Sequence, residues 1–398
     1  MKQALSKGMI LSAIILMDIL TGMEFDLFVP SFPELQSHFN LSAFWVEALL
    51  SVNFAGYFLS LFFVGGLADH YGRKPIILLG LAAFILGSIA CLWSPSYGVM
   101  LSGRFLQGAG IAAPAILSFL IIADSYPLRQ QQSLMGILDG LMNFSVGAAP
   151  VLGSYIALYF HWQGNFMVLL VLGLVTFIMT VLFIPSHKLP EHKKTLSVRG
   201  YIPIFQSKPL LLLIVHIVFG FVPYWVFVGM SPLLYIEDLG VSLAHFGYYQ
   251  GALAFVFGLG SILFSLIVSR YDQKEILYIS SQILIAGLIS LAWVTFQDSS
   301  NPVLITLAFL PFIIARIIPS IILQPLCLNF MPQAKGRVSA ILQGGRLVFA
   351  SVCLQLAGYF YQGSFRNIGI IIAFFILLTI ITLFFVLKNR EIMELPRA

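Results

Sequence analysis

The chain has 398 residues, 59% of them hydrophobic and only 9% charged, with a net charge of +5. A soluble domain carries about 25% charged residues, so this composition excludes a water-facing globular protein. The basic excess forms no cluster interleaved with exposed aromatics, which removes nucleic acid as a partner.

In chain order, apolar runs of the length that crosses a bilayer occupy 8–30, 45–67, 75–93, 97–124, 133–158, 166–184, 210–231, 243–269, 276–296, 303–330, 338–360 and 368–387. A spanning helix needs about 20 such residues. The pattern predicts an all-α membrane protein with twelve transmembrane helices and the lipid bilayer as its solvent. The first run follows Lys2 and Lys7 as a signal peptide would. It is too long for one, holds Asp18, Glu24 and Asp26, and shows no A-x-A cleavage pattern, so it reads as the first span. The only long polar stretch falls between the sixth and seventh runs. It carries Lys188, Lys193, Lys194, Arg199 and Lys208. It divides the chain into an N-terminal six-helix half (1–185), a linker (186–208) and a C-terminal six-helix half (209–398). Cys91, Cys327 and Cys353 lie in apolar runs without a C-x-x-C, so neither a disulfide framework nor a metal site is expected.

With both termini in the cytoplasm, Lys2, Lys7, Arg73, Lys74, Arg129, the five linker residues, Arg270, Lys274, Lys335, Arg337, Lys388, Arg390 and Arg397 all fall on the cytoplasmic side. Only Arg366 falls in an outer loop, an asymmetry that supports this orientation and the even number of helices. Internal repetition is weak. The Asp69 loop and its counterpart Arg270-Tyr271-Asp272-Gln273-Lys274 share an acid among bases but not the glycines.

The most specific pattern is Gly65-x-x-x-Asp69-x-x-Gly72-Arg73-Lys74, just after the second span. Its glycines permit a tight turn and close helix approach, and Asp69 at a helix end can pair with a cation, so the segment reads as a conformational latch. It resembles the loop signature of the major facilitator superfamily. Arg104-x-x-x-Gly108 is similar to that superfamily's helix 4 motif. Gly147-Ala148-Ala149-Pro150-Val151-Leu152-Gly153 resembles the helix 5 signature of its drug–proton antiporters. Asp26-x-x-x-Pro30-x-x-Pro33 resembles the signature of the Bcr/CflA multidrug-resistance subfamily. The likeness covers most of the N-terminal half, whereas the C-terminal half matches mainly in helix count. Ala123 stands before Asp124 where the subfamily often has Arg. The resemblance implies the major facilitator fold, a monomer in a bacterial inner membrane, and proton-coupled export of small amphipathic compounds without a cofactor. The alternative within the same fold is a specific metabolite or siderophore carrier, an importer included.

Charge inside a bilayer costs about 2.5–3.5 kcal/mol per residue at a helix centre on insertion scales, so intramembrane charges mark candidate sites. At 1.5 Å per residue, Asp18 lies about 16 Å beyond Lys7, Glu24 about 25 Å and Asp26 about 28 Å. Asp18 and Asp26 point to similar sides of the helix and Glu24 points away from Asp26, so one regular helix cannot aim all three at one cavity. A carboxyl held out of water can exchange protons near neutral pH, which makes Asp18, then Asp26 and Glu24, the candidate coupling acids. Arg104, about 10 Å in from the outer end of its span, lies near the depth of Glu24 and Asp26 and is a candidate partner for an acid. Asp139 is a candidate second relay. Arg316 and Arg346 are open to three readings: facing an anionic substrate group, balancing the acids of the N-terminal half, or pairing structurally. Asn53, Tyr57, Asn143, His216, Tyr224, Trp225, Tyr248 and Gln250 are candidate cavity residues, although a lone His216 is more often a packed histidine than a relay. The seven histidines are scattered and no nucleophile–base pattern stands out, which argues against an enzyme.

Overall fold

The computed structural model describes residues 2–125, 128–186, 201–267, 271–331 and 334–393. Among these, eleven helical runs are long and apolar enough to cross a membrane. The spanning helices are α1 (Lys2–Asp26), α3 (Ala43–Tyr71), α4 (Arg73–Leu92), α5 (Tyr97–Ser125), α6 (Leu128–Phe183), α8 (Lys208–Pro232), α9 (Leu243–Ile267), α10 (Gln273–Phe296), α11 (Pro302–Asn329), α12 (Lys335–Phe360) and α13 (Phe365–Lys388). The helix α6 is two spans in one run. His161 has φ 59° and ψ −174°, outside helical space, so the chain turns there and the second span begins at Trp162. Twelve crossings result.

Short helices α2 (Phe32–Phe39) and α7 (Ile202–Gln206) lie between spans, and α14 (Arg390–Met393) follows the last one. The first span stops at Asp26, earlier than the predicted 8–30 run. Pro30 opens a single 3-10 turn, Val29–Ser31, and Pro33 opens α2. Proline has no N–H and fits only the first positions of a helix, so this spacing ends one helix and starts another. The predicted linker contributes α7, while its residues 187–200 lie outside the described residues.

Lipid exposure is written on α13. Ile370, Phe374, Leu377, Ile381 and Phe384 form an exposed stripe at helical spacing, while Ile368, Ile372, Ile376, Thr379, Leu383 and Val386 are buried. A water-facing helix would carry polar residues on that outer stripe; hydrocarbon on both faces suits a helix whose solvent is lipid.

The described residues form two compact units, Met1–Leu196 with Ser242–Gly251, and Ser197–Val241 with Ala252–Ala398. In unit 1, α1 packs on α6, α5 on α3 and α4, and α4 on α6. A Cβ added at Gly22 would meet Met142 O at 2.9 Å, and one at Gly173 would meet the Phe84 ring at 3.0 Å. So α1 faces the part of α6 before His161, and α4 the part after it. In unit 2, α8 packs on α12 and α13, and α10 on α11 and α13. Each unit therefore pairs its first spanning helix with its fifth, and its third with its fourth and sixth.

Gly72 joins α3 to α4 with φ 94° and ψ 160°, and its N–H donates to Ala68 O at 3.0 Å. Lys74 Nζ donates to Val181 O at 2.7 Å, near the carboxyl end of α6, where a cation meets the negative end of the helix dipole. The two glycines of this motif differ. A Cβ at Gly65 would meet nothing within 4 Å, so the close approach expected there is absent and the tight turn belongs to Gly72. We therefore expect Gly72→Ala to cost about 1–2 kcal/mol, because the backbone is in a region that L-residues resist. Gly65→Ala in mid-helix should be neutral or stabilising. Melting of the detergent-purified protein checks both.

Candidate functional site

Unit 1 gathers buried charge around α1. Glu24 and Arg104 are both fully buried, and Arg104 Nη1 donates to Glu24 Oε1 at 2.9 Å. Asn53 of α3 binds both partners. Its Nδ2 donates to Glu24 Oε1 at 2.6 Å and to the main-chain oxygen of Arg104 at 3.0 Å. Arg104 Nη1 also donates to Gln107 Oε1 at 2.6 Å, and Gln107 Nε2 donates to Ser88 Oγ at 2.8 Å. The guanidinium carbon lies 4.0 Å from the Phe28 ring centroid. A buried charge is tolerated when it is paired, and this network pairs both charges, although Arg104 Nη2 and Glu24 Oε2 have no hydrogen-bond partner among the described residues.

The sequence reason for the geometry is Gly108. A Cβ there would overlap the main-chain oxygen of Asn53. Because Gly108 lies one turn from Arg104 on α5, the missing side chain lets α3 approach at the level where Asn53 must reach the ion pair. Gly153 plays the same part for α1: a Cβ there would overlap the main-chain oxygen of Leu27, the residue after Asp26. Asn165 ties this joint, its Nδ2 donating to Ser31 Oγ at 2.8 Å and to Gly153 O at 3.3 Å.

The other two acids of α1 each accept a hydrogen bond from a neutral side chain. Asp26 is buried, and Gln250 Nε2 donates to its Oδ1 at 3.4 Å. Its Oδ2 has no hydrogen-bond partner among the described residues. Asp18 is buried deeper along the helix and accepts a hydrogen bond from Ser118 Oγ of α5 at 3.2 Å. The three acids thus face different surroundings. Aromatic rings flank them: Phe25 lies 5.2 Å from Phe54 and 5.9 Å from the half-buried Tyr57, centroid to centroid.

Of the other predicted residues, Gly147 and Pro150 are buried on α6, where Ser154 Oγ donates to Pro150 O at 2.8 Å. His216 is buried in unit 2 with Nδ1 3.0 Å from Thr382 Oγ1, a packed position beside a small cavity. Tyr224 and Trp225 are buried together, their rings 5.9 Å apart. Arg316 and Arg346 border the same cavity as His216. Tyr248 is half exposed, its hydroxyl 2.8 Å from that of Tyr155. The side chains of Asp69, Asp139 and Asn143 lie outside the described residues.

Sequence reasoning passed over three participants. Gln107 completes the Arg104 network but looks like any polar residue in a span. Glu34 accepts from Trp162 N at 2.8 Å and sits 2.9 Å from His161 Nδ1, so it caps the span after the His161 turn. Glu47 is fully buried, with neither carboxyl oxygen hydrogen-bonded among the described residues. A lone acid just inside the second apolar run was the available signal for Glu47. Nothing short-range marks Glu34 as a cap for a helix so distant in the chain.

The Major Facilitator Superfamily profile matches residues 14–352. Over 264 residues the chain is 28% identical to the bicyclomycin resistance protein homolog of Haemophilus influenzae, a match covering 65% of this chain and 65% of that protein, just under two thirds of its length. It is 27% identical over 277 residues to the multidrug resistance protein MdtL of Escherichia coli O81, covering 67% of this chain and 68% of the relative. The solved D-xylose-proton symporter superposes with a TM-score of 0.73 at 14% identity, over 94% of this chain and 96% of that one, a likeness of fold alone.

The ion pair predicts a specific pattern of stabilities. Arg104→Met or Glu24→Leu alone strands the partner's charge and should cost about 3–5 kcal/mol. The double variant removes both charges and should recover much of that loss in melting temperature. Losses that simply add would show that the two side chains do not answer one another.

Proposed function

The chain belongs to the Major Facilitator Superfamily, a family of transporters rather than enzymes, and we propose that it is a proton-coupled antiporter exporting small amphipathic toxic compounds. The names of its relatives, bicyclomycin resistance and multidrug resistance, support export of drugs. So does the Asp26-x-x-x-Pro30-x-x-Pro33 segment, which ends α1 and turns into α2.

The observation that carries the reading is the contrast between Glu24 and Asp26. Glu24 is answered by Arg104. Asp26, two residues on, has a neutral amide for a partner and an orphan oxygen. In a dry site such a carboxyl takes its compensating charge from a mobile species, either a proton or a cationic or strongly dipolar substrate. Competition between the two for one carboxyl is antiport. Asp18, two turns deeper on a similar side of α1, serves as the second stop, about 12 Å along the helix. Phe25, Phe54 and Tyr57 offer flat apolar surface beside the acids, suited to lipophilic molecules. One charge crossing 100 mV is worth about 2.3 kcal/mol, enough to drive a useful gradient of substrate.

In this reading the halves 1–185 and 209–398 alternate access about the linker 186–208, with both termini in the cytoplasm of a bacterium and the protein working as a monomer in the inner membrane. The Gly72 turn, with Asp69, Arg73 and Lys74, acts as the latch. Gly147, Pro150 and Gly153 let α6 bend and pack closely, and Asp139 remains the second candidate relay. A specific carrier for an anionic metabolite is the second reading, favoured by the position of Arg316 and Arg346 beside one cavity.

Proteoliposomes with an imposed pH gradient test the proposal. Addition of lipophilic cations or neutral antibiotics should release protons from the native protein. Asp26→Asn should reduce that release at least tenfold, and Asp18→Asn should reduce it as well. Full coupling in both variants removes these acids from the mechanism, and silence toward the whole panel removes drug export.

A further inference from the structure

Among the described residues, unit 1 answers its fully buried Arg104 with a buried acid, whereas no acid of unit 2 pairs with the half-buried Arg316 or Arg346. Arg316 lies about 21 Å along the roughly 42 Å of α11, and Arg346 about 17 Å along α12, both near the middle of a span. The acids of unit 2 among the described residues lie at helix ends. Glu237 and Asp238 close the turn after α8, Asp272 and Glu275 start α10, Asp298 follows α10, and Glu391 is in α14. The polar partners that Arg346 does have are neutral amides. Its Nη1 donates to Gln343 Oε1 at 3.1 Å and its Nη2 to Gln324 Oε1 at 2.9 Å, while Nε has no partner among the described residues. Arg316 meets two rings instead, 5.4 Å from the Phe221 centroid and 5.3 Å from that of Phe257. Arg346 lies 5.5 Å from the same Phe221 ring. One phenyl group therefore serves both cations.

Between them is a cavity of about 30 Å³, lined by Arg316, Arg346, His216, Ser320, Thr379 and Phe312. A water needs about 10–15 Å³ of such space, so the cavity takes a group of roughly two heavy atoms and not a whole drug molecule. Ring faces stabilise a guanidinium from one side, but its N–H edge still seeks an acceptor, and the planar fork suits an anion. Two cations around one small cavity, with no carboxylate in its lining among the described residues, define the charge of what belongs there.

We propose that Arg316 and Arg346 form an anion-binding site that seats a small monoanion or the monoanionic head of a larger organic ligand. The site is distinct from the acids of α1 and does not depend on proton coupling or on the direction of transport. Phe221 lies 5.6 Å from Trp225, the two rings tilted by 37°, which places an intrinsic fluorophore one ring away from the proposed site.

The test uses the detergent-purified full chain in sodium HEPES at constant ionic strength, titrated with sodium chloride and with sodium benzoate while tryptophan fluorescence and melting are recorded. Saturable binding of at least one anion is expected. Arg316→Gln and Arg346→Gln should each weaken it at least tenfold, and Arg346→Lys, which keeps the charge, should weaken it less. In the same HEPES buffer without added chloride or benzoate, the Gln variants should melt at or above the native protein, because an unanswered charge has been removed. A purely structural role for these residues would lower the melting temperature instead and would overturn the proposal. Chloride binding with no competition from benzoate identifies a resident inorganic ion, and benzoate displacing chloride identifies the head group of an organic ligand. No saturable response to either anion, or a response unchanged in both Gln variants, also overturns the proposal. Neither result bears on the proton release assay, so the two readings fail separately.

Discussion

Charge in a medium without water governs this molecule. A helix can bury its own backbone polarity, but an ionised side chain at membrane depth must find an opposite charge, a dense set of hydrogen bonds, or a mobile ion. The Glu24–Arg104 pair at 2.9 Å is the first solution, and Asn53, Gln107 and Ser88 extend it to two further helices, α3 and α4. Asp26, hydrogen-bonded to the amide of Gln250 and with Oδ2 unpartnered among the described residues, represents the last one.

Small residues make those encounters possible. The pair needs α3 against α5 at Gly108, and the placement of Asp26 needs the end of α1 against α6 at Gly153. In both cases a Cβ would run into main-chain oxygen, so even alanine forces helices apart. The interaction that matters chemically thus hangs on backbone contacts, as expected where lipid supplies no hydrophobic drive between helices. The two units share a scheme of helix pairing but not of charge. Unit 1 holds acids and one paired arginine, while unit 2 holds two arginines against aromatic rings. Divergent chemistry on a repeated frame is consistent with different tasks for the two units.

The spans and their number were legible in the sequence, because hydropathy acts locally, whereas the end of α1 at Asp26 was hidden inside an apolar run that continues to Pro30. The turn at His161 was legible only as a gap between apolar runs. The frame was hidden where it depends on contacts between distant positions. The repeat of helix pairing left almost no trace at the Asp69 and Asp272 loops, since packing asks for small residues somewhere on a face and not for a fixed motif. At the candidate site, helical rotation correctly separated Glu24 from Asp26, and equal depth made Arg104 a plausible partner. Neither consideration could choose Asn53 as the bridge or Gln107 as the second acceptor. Those identities follow from how closely α3 and α5 approach. Glu47 went unnoticed because a single acid near a span end looks interfacial until its burial is known.

The account turns on Glu24 staying charged against Arg104 while Asp26 exchanges the proton. Infrared difference spectra of the reconstituted protein between neutral and acid pH test it directly, through the carbonyl stretch of protonated carboxyl groups. One component of the protonation band is expected to persist in Glu24→Gln and to disappear in Asp26→Asn, while the component from Asp18 remains in both. A component lost in Glu24→Gln and kept in Asp26→Asn would contradict the account.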